Sequence, residues 1–97
     1  MKDKTDLQRI PGIGAKMEGY LQRIGYDSVA SLKGQNPLAM YEAECQRNGG
    51  YQDRCVLYSY RLAVYFAENE VHDPEKLKWW NWKDVLSEAE KEAEAKR

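Results

Sequence analysis

Two cysteines, one histidine and a net charge of −1 across 97 residues exclude several kinds of function at once. Cys45, Cys55 and His72 match no compact ligand spacing for zinc and lack a fourth ligand, so no metal centre is expected. Two thiols in a helical intracellular domain are expected to be reduced, small, buried hydrophobes. His72 has no sequence-local nucleophile or carboxylate set beside it, so no catalytic residue, cofactor or enzyme activity is expected. The near-neutral balance excludes a nucleic-acid coat whose affinity comes from bulk positive charge. No run is long and apolar enough to span a membrane, and the opening MKDKTDLQR lacks the apolar stretch of a signal peptide. A cytoplasmic protein without membrane contact is expected.

The chain length supports one domain with a modest core. No strand-type alternation is present, so the expected class is all-α. The charge is unevenly spread. Through Lys33, six basic residues (Lys2, Lys4, Arg9, Lys16, Arg23, Lys33) face four acidic ones (Asp3, Asp6, Glu18, Asp27), a net of +2. From Asp84 onward, Asp84, Glu88, Glu90, Glu92 and Glu94 outnumber Lys91, Lys96 and Arg97, a net of −2. Any affinity for DNA must therefore come from a local patch near the N-terminus and be weak.

The most specific segment is residues 7–25, LQRIPGIGAKMEGYLQRIG. Leu7 and Ile10 share one face of a short helix that Pro11 must end, because proline cannot continue the hydrogen-bond ladder. Gly12 and Gly14 permit backbone angles and a closeness of approach that side chains forbid. Ile13 between them is placed to plug the core. From Ala15, Met17, Tyr20, Leu21 and Ile24 recur at helical spacing, with Gly25 as the C-terminal stop. The second helix thus opens at the glycines, where its first amides have no intrahelical partner and the helix dipole is positive. A phosphate is the natural ligand for such a site. The candidate DNA phosphate-binding residues are Gly12, Ile13, Gly14, Ala15 and Lys16, with Arg9 flanking; the competing reading of the same residues is a tight interhelical turn without a ligand.

Leu7, Ile10, Gly12, Ile13 and Gly14 fill the pattern h-x-x-h-x-G-h-G in register, and the segment resembles a helix-hairpin-helix motif, which holds a nucleic-acid backbone without reading bases. With QDRCVLYSYRLAVYFAE (residues 52–68) and KLKWWNWKD (residues 76–84), the chain up to about Asp84 resembles the small bacterial pathogenicity-locus family, whose members are often described as helix-hairpin-helix proteins. The resemblance implies a five-helix, SAM-like helix-hairpin-helix domain with a C-terminal Trp-rich extension. One position departs from the motif. The fourth residue after Gly14 is usually Ala, for close helix packing, and here it is Glu18; Gly19 beside it is expected to relieve the crowding.

Beyond the hairpin, Asp27 or Ser28 is placed to cap a short connector helix that Gly34 ends. Asn36-Pro37 reads as N-cap and first residue of a longer helix, stopped at Asn48-Gly49-Gly50. Residues 52–68 are apolar almost all round, as a central core helix is, with Arg54, Arg61 and Glu68 as its one polar stripe. The last two helices lack a G-h-G turn and are expected to support the first hairpin hydrophobically. Trp79, Trp80 and Trp82 raise the possibility of base stacking. Adjacent and alternate positions cannot all face one way on a helix, so two packed rings and one more exposed ring are expected.

The chain accordingly divides into a domain over residues 1–84, including the Trp-rich segment, and a charged tail over residues 85–97 that is expected to be a solvated helix or disordered and to take no part in binding. The expected function is weak, non-sequence-specific DNA binding through backbone phosphate, without catalysis. The alternative is a helical protein-protein interaction module with an unknown protein partner, in which the hairpin survives only as a turn.

Overall fold

Leu7, Ile10 and Ile13 are all buried, and they fix the start of the fold although their segment forms only the 3-10 turn Asp6–Arg9. Each such burial contributes about 1.5–3 kcal/mol. The computed structural model describes residues 5–96. The charges expected at Lys2, Asp3, Lys4 and Arg97, and the reading of the first residues as leaderless, lie outside the described residues.

Among the described residues there are four α-helices, four short 3-10 turns and no strand. The α-helices are α1 (Ala15–Arg23), α2 (Pro37–Arg47), α3 (Arg54–Glu68) and α4 (Glu88–Ala95). Of the five helices expected up to Glu68, three are α-helical; the first hairpin helix and the connector, Ala30–Leu32, are single 3-10 turns. Their brevity explains this. A stretch of three or four residues between breakers closes i to i+3 bonds but cannot propagate the α ladder.

The punctuation follows the residues expected to provide it. Asn36 Oδ1 accepts from Leu38 N and Ala39 N at 2.9 and 3.4 Å, with Pro37 as the first helical residue. Gly25, at φ +100°, ends α1. There Gly25 N donates to Gln22 O and Tyr26 N to Leu21 O, at 3.1 and 2.9 Å, the paired bonds of a Schellman stop. Ser28 rather than Asp27 serves the connector, its hydroxyl accepting from Ser31 N at 3.1 Å.

α3 is the centre of the molecule. It packs against α2, against the connector turn and against the Trp79–Trp82 turn. Val56, Tyr60, Leu62, Ala63, Val64 and Ala67 join the hairpin residues, Leu32, Met40 and Trp82 in one core. The expected polar stripe is corrected here. Arg54 and Glu68 are exposed, but Arg61 is buried. Its guanidinium is held by Glu90 of α4 (Nε to Oε1 3.0 Å, Nη2 to Oε2 3.1 Å) and by the carbonyl of Trp82 at 2.7 Å. The segment expected to be solvated is therefore anchored at its head, where Ser87 and Glu90 are buried, while residues 91–96 are exposed.

The tryptophans divide as expected, two packed and one exposed. Trp82 is 6% exposed, Trp79 is half-buried against the core, and Trp80 is 56% exposed. Cys45 and Cys55 are both free thiols. Cys45 is half-buried, whereas Cys55 is exposed and so is not the buried hydrophobe expected; it sits in the first turn of α3, before Val56 and Leu57 enter the interior.

Tyr60 gives the core a pH dependence. Its side chain is fully buried and its hydroxyl has no hydrogen-bond partner among the described residues. Burial first, and the nearby Glu44 carboxylate second, push its ionisation well above the ordinary phenol range. Below about pH 10 the phenol is neutral folded and unfolded alike, and stability is unaffected by it. Above about pH 10 the unfolded chain releases a proton that the folded chain keeps, so stability falls with rising pH. Urea denaturation at about pH 8 and about pH 11 should show a larger loss for the parent than for Tyr60→Phe. Equal losses would rule Tyr60 out as the source.

Candidate nucleic-acid interface

The turn between Asp6–Arg9 and α1 is built by two consecutive short bonds and one left-handed residue. Ile10 N donates to Leu7 O at 3.1 Å and Ile13 N to Ile10 O at 3.0 Å, which turns the chain sharply around Pro11. Gly12 takes φ +85°, a region open to glycine and costly for other residues. Ile13 then drives its side chain into the core at 3% exposure. Gly14 is the N-cap of α1, and the first α-helical bond runs from Glu18 N to Gly14 O at 2.9 Å. No side-chain group caps this end. The amides of Ala15, Lys16 and Met17 precede that first bond, so none has an intrahelical acceptor.

Of the six candidate residues, Gly12, Gly14, Ala15 and Lys16 share the exposed rim of this turn, and Arg9 is exposed at the end of the preceding 3-10 turn. Ile13, being buried, can offer a ligand only its backbone. Lys16 stands in the first turn of α1, where a cation opposes the helix dipole. Its Nζ lies 5.9 Å from the centroid of the Tyr20 ring, and the Arg23 guanidinium lies 4.9 Å from the same centroid. Lys16, Tyr20 and Arg23 thus form a cationic, aromatic stripe along α1, beside a shallow depression of about 360 Å³. The sequence reading placed Tyr20 only in the apolar stripe; the spacing of four and three residues to its two cations was the available signal.

The two glycines have different reasons. Gly12 is required by its backbone angle. Gly14 is not: its φ of −94° suits any residue, and a Cβ built there would meet nothing within 4 Å. Neither packing nor backbone strain explains a glycine at the mouth of the helix. Gly19 likewise has open space around it, so it relieves no crowding from Glu18.

Glu18 is instead accommodated by hydrogen bonds. Its buried carboxylate accepts from Thr5 N at 3.1 Å, Thr5 Oγ1 at 2.6 Å and Gln8 Nε2 at 3.0 Å, tying the 3-10 turn to α1. The position where the motif favours a small residue is occupied by a strut. Glu44 does the same work at the other end of α1. At 0% exposure it receives Arg23 Nη2 at 3.1 Å and Gln52 Nε2 at 3.1 Å, joining α1, α2 and the entrance to α3. Both carboxylates lie on buried helix faces; the departure from the motif marked Glu18 as standing at a packed position, but nothing in the sequence marked Glu44.

Among the described residues no group of three His, Cys, Asp or Glu side chains is arranged to hold a metal ion. His72 stacks on Phe66, ring centroids 4.3 Å apart, and its Nε2 lies 3.0 Å from Phe66 O. A second cleft, of about 270 Å³, opens between the end of α3, the tryptophan turn and α4. Its polar walls are engaged with their neighbours: Asn81 Nδ2 donates to Glu75 O, Trp82 Nε1 to Lys76 O and Asn69 Nδ2 to Tyr65 O. Among the described residues no helix is long and apolar enough to cross a membrane.

Comparison with known proteins adds a family to this geometry. The mitomycin resistance protein McrB of Streptomyces lavendulae is 30% identical over 80 residues, 82% of this chain and 72% of that protein. No solved structure matches the chain. The family model Cdd1, described as Pathogenicity locus, matches residues 1–87. That match runs from the first turn through α1, α2, α3 and the tryptophan-bearing turn, and the chain belongs to the Cdd1 pathogenicity-locus family.

Proposed function

We propose that this protein is a helix-hairpin-helix domain of the SAM-like kind that binds DNA weakly in the cytoplasm, through backbone phosphate, without sequence preference and without catalysis. The turn Asp6–Arg9 and α1 form the hairpin, the connector turn joins it to α2 and α3, and that second pair supplies hydrophobic support. The observation that carries the reading is Gly14. A glycine that the fold does not require, set beside amides without intrahelical acceptors and a lysine that opposes the dipole, suits close approach by an external anion. The relative's name speaks of resistance to mitomycin in that protein; the DNA reading comes to this chain from the hairpin.

The amides around Gly12 to Ala15 donate to one phosphate, Lys16 adds a point charge and Arg9 flanks. Dissociation constants on the order of 10⁻⁴ to 10⁻⁶ M near physiological salt are expected. In a titration with duplex DNA at two salt concentrations, Lys16→Ala should weaken all sequences alike and reduce the salt slope by about one. Gly14→Val should abolish binding while leaving circular dichroism close to that of the parent, since the site has room for a side chain. Lys33→Ala, an exposed charge beyond the motif, is the control. If it weakens binding as much as Lys16→Ala, or if the parent binds no DNA at low salt, the interaction-module reading replaces this one.

A further inference from the structure

The first of the three tryptophans, Trp79, lies next to the Gly12 turn. A Cβ placed on Gly12 would stand 3.7 Å from Trp79 Cδ1, so the half-buried indole of Trp79 forms the wall beside the glycine turn. Trp79 in turn meets Trp80 edge to face, with centroids 5.7 Å apart and an interplanar angle of 87°. Trp80 is 56% exposed, and it is absent from the residues packed on the core. The row therefore runs from the phosphate-facing turn, through a fixed indole, to a free one.

We infer that Trp80 is a stacking platform for a nucleobase, and that the ligand of this face is single-stranded DNA rather than intact duplex. The inference rests on the hairpin reading above and extends it to a class of substrate. In a duplex the faces of the bases are covered by their neighbours; an unpaired base offers its π-face to an aromatic ring, whichever base it is. A strand held by one phosphate at Gly12 to Lys16 has its adjoining base within reach of the exposed indole. Lys78 and Lys83, both exposed, bracket the Trp79–Trp82 turn, so the ring stands in a locally basic segment. Lys78 also pairs with Glu75 at 3.2 Å, which leaves Lys83 the stronger candidate for a backbone contact. Trp79 gives the platform its orientation: packed on one side against the hairpin and the core, it holds its neighbour edge-on.

The test is an anisotropy titration of the full chain with a labelled oligothymidine and with a duplex of equal length, at low salt. The parent should prefer the single strand, and its tryptophan emission should be quenched on binding it. Trp80→Ala should weaken single-strand binding by about 5- to 150-fold and shrink the quenching, with duplex affinity nearly unchanged. Trp80→Phe should keep most of the preference. Lys16→Ala should weaken both DNAs alike, and so reports on the hairpin independently of the ring. Equal affinity of the parent for the two DNAs, or a Trp80→Ala variant that retains the preference, overturns the platform while leaving the phosphate site standing. Self-association of the parent that Trp80→Ala abolishes, without discrimination between the DNAs, assigns the ring to a contact between copies and overturns it too. A parent that binds neither DNA overturns both.

Discussion

Ending the chain after Ser87 should cost about 3–5 kcal/mol of stability, because it strands a buried guanidinium. Arg61 and Glu90 are both nearly excluded from water, with side chains 7% and 3% exposed. Nε and Nη2 of Arg61 span the two carboxylate oxygens, and Nη1 turns to the carbonyls of Trp82 and Lys83. Truncation removes the counter-charge and leaves the cation in place. Glu90→Ala should reproduce most of the loss with the helix still present. Replacing both partners, Arg61→Met with Glu90→Leu, should recover much of it, since a buried pair exchanged for apolar groups of similar size is often neutral. Urea denaturation of the four proteins checks this. A truncated chain as stable as the parent would show that α4 is a passenger.

That prediction opposes what composition suggests, and the reason is local. SEAEKEAEAKR has hardly any apolar face, so amphipathicity assigns it no docking surface. The signal present in the sequence was the spacing of Ser87 and Glu90, the S-x-x-E of a capping box. Both halves of that box form: Glu90 N donates to Ser87 Oγ at 3.3 Å and Ser87 N to Glu90 Oε1 at 3.4 Å. The box fixes the carboxylate at the head of α4, where Arg61 meets it. Arg61 itself looked like one member of a stripe spaced by seven, and spacing cannot say which polar face of a largely apolar helix is covered from outside.

The turn around Pro11 and the start of α1 were more legible, for a physical reason. Their determinants are contiguous: a proline that ends one turn, a glycine at positive φ, a buried plug and a helix start all fall within residues 10–15. The long helices were legible from their caps and periodicity. What sequence could not supply was the bonding of Glu18 and Glu44, because their partners at Thr5, Gln8, Arg23 and Gln52 lie across turns whose geometry only the fold sets. The neighbourhood of Gly12 and Trp79 is of the same kind. Those residues are far apart in the chain and meet only because α3 and its turns bring the tryptophan segment back to the hairpin.

The second large effect should come from Trp82. Its indole is 6% exposed, stands 5.5 Å from the Tyr65 ring by centroids, and donates from Nε1 to Lys76 O at 2.8 Å. Trp82→Ala removes one of the largest side chains in the core and should cost about 3–5 kcal/mol, a large share of the 5–15 kcal/mol typical of a domain. Trp82→Phe should lose less, and the part it does lose includes the Nε1 hydrogen bond, worth about 1 kcal/mol. Trp80→Ala should change stability by only about 0.5 kcal/mol or less, because the ring is half in water. The contrast separates support from contact. Trp82 is neighbour to Arg61 through its carbonyl and belongs to the same short turn as Trp79, whose indole walls Gly12. Its loss should therefore lower the stability of the domain as a whole, and on the proposed DNA-binding reading the apparent affinity should fall only to the extent that the domain unfolds. Affinity measured for the folded fraction of Trp82→Ala should match the parent. A folded fraction that binds single-stranded DNA more weakly than the parent would mean that the buried ring helps set the contact surface.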